Sequence, residues 1–185
     1  MGIYKDRPVT ALDYRRLAEK RLPRFLFDYI DGGAGDEKSM AANEEDFLQI
    51  KLRQRVMCDV QNIDTSITLS GQPASMPLVL APIGLAGMMG RRGEVQGVRA
   101  ASRAGIPSTT STVGICPIEE VQAATAKPAW FQLYMLRDRG LVTALLERAQ
   151  HAGCSTLVFT VDLAVAGMRH RDSRNGMLGG GVAGR

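Results

Sequence analysis

Polar side chains recur in this sequence at one kind of place, the end of a short apolar run. Pro82, Ile83 and Gly84 follow the run at 78–81, and Ser111 with Thr112 follows the run at 107–110. Gln132 lies within the run at 130–133 and Tyr134 comes just after it, while Thr160 and Asp162 close the run at 156–161. Neutral hydroxyls and amides donate and accept hydrogen bonds without bringing charge. Gathered at one rim, they suit the polar edge of a flat, uncharged ring system. Any one of them is equally well an ordinary polar residue at a strand end. Their recurrence in four successive runs is what points to a site.

Other chemistries find less support. Cys58, Cys116 and Cys154 show no ligand spacing, and an odd count leaves at least one thiol unbridged, which fits a reducing cytoplasmic compartment. His151 and His170 have no second ligand at a useful spacing, so no metal site is expected. The net charge of +4 is spread without a run of five basic residues, so nucleic-acid binding is not expected either. Residues 1–13 hold no apolar segment of a secretory signal. The apolar stretch 77–89 is broken by Pro82, Gly84 and Gly87 and is too short to span a bilayer. With 185 residues, 45% hydrophobic and 23% charged, the chain has the composition of a globular domain with a full core.

The elements that would position these groups follow from spacing. Thr10 is expected to cap a first helix carrying Leu12 and Leu17, and Pro23 to open a second that stops at Gly32 and Gly33 in a left-handed turn. Asp36 is expected to cap a third helix running to Glu45, and 66–72 to form a short hairpin. From Pro77 onward an apolar strand, a loop and a helix alternate. Strands are expected at 78–81, 107–110, 130–133 and 156–161, in sequential parallel order. Helices are expected at 94–104, after Pro117 with Ile118 and Val121 on one face, and at Leu141, Leu145, Leu146 and Ala149. Gly105 and Gly153 end two of them. The strands are short, apolar and not alternating, as in a parallel sheet covered on both faces. The first loop, Pro82-Ile83-Gly84-Leu85-Ala86-Gly87, is not the GxGxxG of a doubly wound dinucleotide fold, which leaves half of a (β/α)8 barrel as the rival architecture. Leu80, Phe131 and Phe159 are expected on its inner face, and 163–185 as an incomplete loop.

Several segments together resemble the FMN-dependent 2-hydroxy-acid dehydrogenase and oxidase family. They are Asp28-Tyr29 with Gly32-Gly33-Ala34, Leu80-Ala81-Pro82-Ile83-Gly84, Trp130-Phe131-Gln132-Leu133-Tyr134 and Phe159-Thr160-Val161-Asp162. Further segments, among them Arg91-Arg92-Gly93-Glu94-Val95-Gln96 and Cys116-Pro117-Ile118-Glu119-Glu120-Val121, are similar to its bacterial L-lactate dehydrogenase branch. The resemblance implies an α/β fold of the (β/α)8 TIM-barrel type, here an N-terminal helical segment (1–76), the first half of the barrel with about four βα units (77–162) and part of the following loop (163–185). It implies FMN as cofactor, with Pro82, Ile83, Gly84, Ser111, Gln132 and Thr160 facing it. It implies a small 2-hydroxy acid as substrate, with Tyr29, Tyr134 and Arg169 at its carboxylate or hydroxyl.

The activity so implied is oxidation of L-lactate to pyruvate, with electrons passed to a quinone or cytochrome. Family oxidases often carry Ala where this chain has Gly84, which favours such an acceptor over oxygen. Another acid, mandelate or glycolate, is the alternative within the class. A homo-oligomer and peripheral contact with the inner face of the cell membrane are further expectations of the resemblance. The family's base, a histidine on a later strand flanked by Gly and Arg, has no counterpart here: His151 falls on an outer helix and His170 after the wrong strand. A non-catalytic fragment and an unrelated phosphate-binding barrel module are the rival readings.

Overall fold

The computed structural model describes residues 7–163, 165 and 167–177. It divides into two compact units, Met1–Val56 with Val165–Arg185, and Met57–Ala164.

In the first unit, helix α1 (Ala11–Arg21) starts where Thr10 predicts. The Thr10 hydroxyl accepts from the Asp13 amide at 3.2 Å, and the Asp13 carboxylate accepts from the Thr10 amide at 3.0 Å. This reciprocal capping box satisfies two otherwise orphan donors. The helix buries none of its residues, and Arg15 ties it to Asp31 of α2 (Arg24–Asp31). Pro23 caps α2, which buries Leu26, Phe27 and Asp28. The left-handed turn expected at Gly32 is absent: φ is −88°. Glycine is needed there for proximity instead, since a Cβ would lie 2.6 Å from the Asp28 carbonyl oxygen.

Helix α3 (Lys38–Glu45) is preceded not by an Asp36 cap but by Glu37 in the left-handed region. The Glu37 carboxylate turns back to accept from the Gly33 amide at 3.1 Å and pairs with Arg171 at 2.6 Å. Part of the expected loop is helical as well. Helix α8 (His170–Asn175) forms because Asp172 sits in its first turn, where the helix dipole favours an anion, and Gly176 at φ 69° closes it. Residues 178–185, the remainder of that loop, lie outside the described residues.

In the second unit, β1 (Ile67–Leu69) and β2 (Gln72–Ala74) form the expected antiparallel hairpin. Three parallel strands follow in sequential order, β3 (Thr109–Ser111), β4 (Trp130–Leu133) and β5 (Leu157–Phe159). The first expected strand is reduced to one bridge, Leu80 to Ser108, held by the Leu80 amide on the Pro107 carbonyl and the Thr109 amide on the Leu80 carbonyl, each at 2.9 Å. The prolines explain the brevity: Pro77, Pro82 and Pro107 have no amide to give to a ladder. Among the described residues the sheet is open, so a closed barrel is not seen.

Helices α4 (Ala86–Met89), α5 (Gly93–Ala104), α6 (Ile118–Ala123) and α7 (Arg139–His151) alternate with the strands. Gly105 ends α5 at φ 70°, a conformation a side chain would strain. The core lies between strands and helices: Phe131 and Leu133 pack against Ile118, Val142 and Ala149. Val142 takes the place expected for Leu141, which is exposed. Side chains alternate along a strand, so Phe131 and Leu133 facing the helices put Gln132 on the opposite face. The expectation that Phe131 lines the inner face is therefore corrected. Phe159, in register with Leu133, shares the helix side. Leu80 lies against Gly97 of α5 and faces that side too. At the strand N-terminal end, the Trp130 indole donates to Gln72 at 2.9 Å and the Gln72 amide donates to the Pro128 carbonyl at 2.9 Å, which fastens the hairpin beneath the sheet.

Candidate functional site

Of the expected site residues, Pro82, Ile83, Gly84, Ser111, Gln132, Tyr134 and Thr160 lie in the second unit, and Tyr29 and Arg169 in the first. The second-unit group centres on Gln132, which is 1% exposed. Its Oε1 accepts from the Ser111 hydroxyl at 3.2 Å and from the Thr112 amide at 3.1 Å. Its Nε2 donates to the Thr160 hydroxyl at 2.8 Å. The relay thus crosses β3, β4 and the end of β5, and these bonds fix which way the Gln132 amide points. The Thr112 hydroxyl donates to the Gln132 carbonyl at 2.5 Å and accepts from the Tyr134 amide at 3.1 Å, so the two loops leave the sheet together.

The loop after the first bridge reaches the same rim through the Leu85 amide, which donates to the Val113 carbonyl at 3.0 Å. Glu94, in the first turn of α5, adds a second tie. Its Oε1 accepts from the Gly87 amide at 3.0 Å and the Ile115 amide at 2.8 Å. Burial works to raise its pKa, but the amides around it outweigh burial and hold the carboxyl below its usual range. Cys116 beside it is pushed up, by burial first and then by the Glu94 carboxylate, and stays a thiol. Spacing from the strands gave no reason to choose Glu94. The signal available was an acid in the first turn of a helix between two loops rich in glycine.

In the first unit the structure brings Tyr29 and Arg169 together. Arg169 donates to the Tyr29 carbonyl and, at 2.8 Å, to that of Gly32, and its guanidinium lies 5.0 Å from the Tyr29 ring centre. It pairs with Asp172 at 2.8 Å, and Asp172 is 1% exposed. Asp172 was not singled out from sequence, because a loop was expected around it. The His151 ring lies 2.7 Å from the Glu147 carbonyl on the exposed face of α7, and in the first unit His170 is 3.7 Å from Asp36. Among the described residues no three potential metal ligands cluster, and no helix is long and apolar enough to cross a membrane.

A rim of neutral hydrogen-bonding groups at strand C-termini is where α/β folds place ligands. The chain is 56% identical over 174 residues to an L-lactate dehydrogenase of Alcaligenes faecalis, covering 94% of this chain and 46% of that protein. It is 56% identical over 176 residues to an L-lactate dehydrogenase of Caulobacter vibrioides, covering 95% and 46%. Its fold matches a soluble mutant of the membrane-associated (S)-mandelate dehydrogenase from Pseudomonas putida with a TM-score of 0.85 at 38% identity, covering 90% of this chain and 47% of that one. The chain thus spans about half the length of the curated relatives it matches. Residues 18–181 match the sequence profile of the FMN-dependent dehydrogenases, and with that match over most of its length the chain belongs to the FMN-dependent dehydrogenase family.

Proposed function

We propose that this chain supplies the flavin-edge half of an enzyme that oxidises L-lactate to pyruvate, with FMN as cofactor and a quinone or cytochrome as electron acceptor. The observation that carries the reading is the buried Ser111–Gln132–Thr160 relay at one sheet rim. Its donor set is neutral and alternates hydroxyl, amide and hydroxyl, which fits the polar edge of an isoalloxazine ring and would not neutralise a highly charged ligand. Ser111, Gln132 and Thr160 would hold that edge, with the backbone of Pro82, Ile83 and Gly84 beside it. FMN, when bound, supplies the acceptor for the two electrons that leave the α-carbon.

The chain's own residues do the orienting. The relay fixes the Gln132 amide and the Ser111 hydroxyl before any ligand arrives and leaves the Thr160 hydroxyl free to donate, so little reorganisation is needed on binding. Tyr134, held through its amide by Thr112, is assigned to the carboxylate or hydroxyl of the acid. Tyr29 and Arg169 are proposed for the substrate carboxylate or hydroxyl on the resemblance alone; a guanidinium is the natural fork for a carboxylate. Neither His151 nor His170 is assigned as the base that takes the proton. Lactate is preferred over mandelate as substrate because identity to the lactate enzymes is 56%, against 38% to the mandelate enzyme. Assembly into a homo-oligomer and peripheral membrane contact are proposed on the resemblance alone.

The test is titration of the purified chain with FMN, read by quenching of flavin fluorescence. Saturable binding that Gln132→Leu abolishes supports the reading. Binding that Gln132→Leu leaves unchanged overturns the assignment of the rim.

A further inference from the structure

We propose that Glu94 is a positioning residue of the flavin rim: one carboxylate oxygen clasps the loop after the first bridge to the loop after β3 and so fixes their backbones relative to Ser111. The role assigned to that rim rests on the proposed flavin site. The clasp itself rests on the geometry of this chain.

Oε1 of Glu94 receives two backbone amides, Gly87 from the first turn of α4 in the connection after the first bridge and Ile115 from the loop after β3, at 3.0 and 2.8 Å. The two loops meet at no second carboxylate among the described residues. The packing around the clasp is built to admit it. A Cβ on Gly87 would lie 2.7 Å from the Ile115 Cβ and 3.0 Å from the second Glu94 oxygen, so only glycine lets the amide reach in. A Cβ on Gly93 would lie 2.4 Å from the Ala86 carbonyl oxygen, so glycine also lets the start of α5 press on the first loop. The second oxygen, Oε2, is buried, the Cys116 thiol lies beside the carboxylate, and Glu94 lines a cavity of about 50 Å³ together with Ile83, Ala86 and Ser111. The carboxylate thus sits at a point between two segments assigned to the cofactor. The Leu85 amide on the Val113 carbonyl joins the same loops, but backbone alone leaves the 86–88 and 114–116 segments without a tie.

The experiment compares Glu94→Ala, Glu94→Gln and Glu94→Asp in the 185-residue chain. Amide hydrogen exchange is followed residue by residue, alongside FMN titration by fluorescence and visible circular dichroism of bound flavin. Glu94→Gln keeps an acceptor at the Oε1 position and is expected to stay within about threefold of the parent in FMN affinity. Glu94→Ala is expected to weaken FMN by about tenfold, the scale of one to two lost hydrogen bonds. It should speed exchange of the Gly87 and Ile115 amides while leaving Thr112 and Tyr134 protected. A loss confined to overall stability would change all four amides together. Should Glu94→Ala fail to fold, Glu94→Asp carries the test: its arm is one methylene shorter and should release at least one of the two amides. Unchanged exchange at both amides in the folded Ala or Asp variant overturns the clasp. Rescue by Gln of both exchange and the dichroism signal supports it. A parent chain that binds no FMN counts against the flavin reading only, and the exchange result still decides the clasp.

Discussion

The side-chain amide of Gln132 donates to the hydroxyl of Thr160 at 2.8 Å, across the gap between β4 and the end of β5. The same side chain accepts from Ser111 and from the Thr112 amide on its other flank, so one residue joins three chain segments at one rim. Leucine at this position would fill the volume but leave a backbone amide and two hydroxyls without their partner. Each buried polar group so orphaned costs about 1–3 kcal/mol. Gln132→Leu is expected to lower the stability of the second unit by about 3 kcal/mol and to abolish FMN binding. Urea denaturation and FMN titration measure the two effects separately.

How much of this could be read from sequence depends on the range of the interaction. The Thr10 cap and the Gly105 stop are local, and both are where the pattern places them. The relay was legible because a parallel sheet aligns strand ends, so Ser111, Gln132 and Thr160 had to meet if the strands were right. Facing was harder. A run such as Trp130-Phe131-Gln132-Leu133 is apolar on both sides of Gln132 and does not say which side meets the helices. Hence Phe131 was expected on the wrong face. The turn at Gly32 and the cap at Asp36 differ from expectation because the contacts that decide them, the Asp28 carbonyl on Gly32 and Arg171 on Glu37, are a matter of three-dimensional approach. Glu94 and Asp172 escaped notice for the same reason: each acts by what it reaches.

Arg169, at the N-cap of α8 and part-exposed, pairs with the buried Asp172. Removing Arg169 strands the buried carboxylate, while removing Asp172 leaves a guanidinium that solvent partly screens, so the cost falls below the about 3–5 kcal/mol of a fully buried pair. Asp172→Ala is expected to melt the α2–α8 contact of the first unit. Arg169→Lys should do so in part, because an ammonium cannot serve Asp172 and the Tyr29 and Gly32 carbonyls in the same fork geometry. Hydrogen exchange over 24–31 and 170–175 checks this; unchanged protection in Asp172→Ala would refute it.

Acid should loosen the contact between α6 and α7. Arg148 holds Glu119 in a two-pronged pair at 2.5 and 2.9 Å and lowers its pKa to about 2. The folded value lies below the unfolded one, about 4.3. The contribution is therefore fully present above about pH 4.3 and is lost as pH falls toward 2. Glu119→Gln removes this titration. The difference in urea midpoint between parent and Glu119→Gln is expected to be constant near neutrality and to vanish between about pH 4 and pH 2. A difference that does not change with pH would show that the pair contributes no net stability.

Trp130 is the single tryptophan, buried in β4 with its indole on Gln72. Its fluorescence should report the second unit alone. Gln72→Leu is expected to shift the emission and lower the unfolding midpoint of that unit, because a buried indole N–H loses its acceptor. Identical spectra for parent and variant would mean that the hairpin is not fastened through this bond.

The open sheet leads to the last expectation. Among the described residues no strand pairs with β5 on the side away from β4, so its backbone groups there lack ladder partners. Leu157, Phe159 and Val161 along it are 51%, 46% and 77% exposed. No Lys, Arg or Glu in 157–161 discourages pairing with another chain. Phe159 and Leu157 lie on the helix side of the sheet, and Leu157 lines a groove of about 210 Å³ with Leu146, Ala149 and Cys154. Burying apolar surface contributes about 25 cal/mol per Å², so this edge should drive two copies of the 185-residue chain together. Self-association at micromolar concentration is expected by size-exclusion chromatography with light scattering. Phe159→Lys should shift the population to monomer without loss of FMN binding, since Phe159 points away from the Gln132 face. A sharp monomer peak for the parent chain, with cooperative unfolding, would show that the β5 edge is satisfied within one copy and that this argument is wrong.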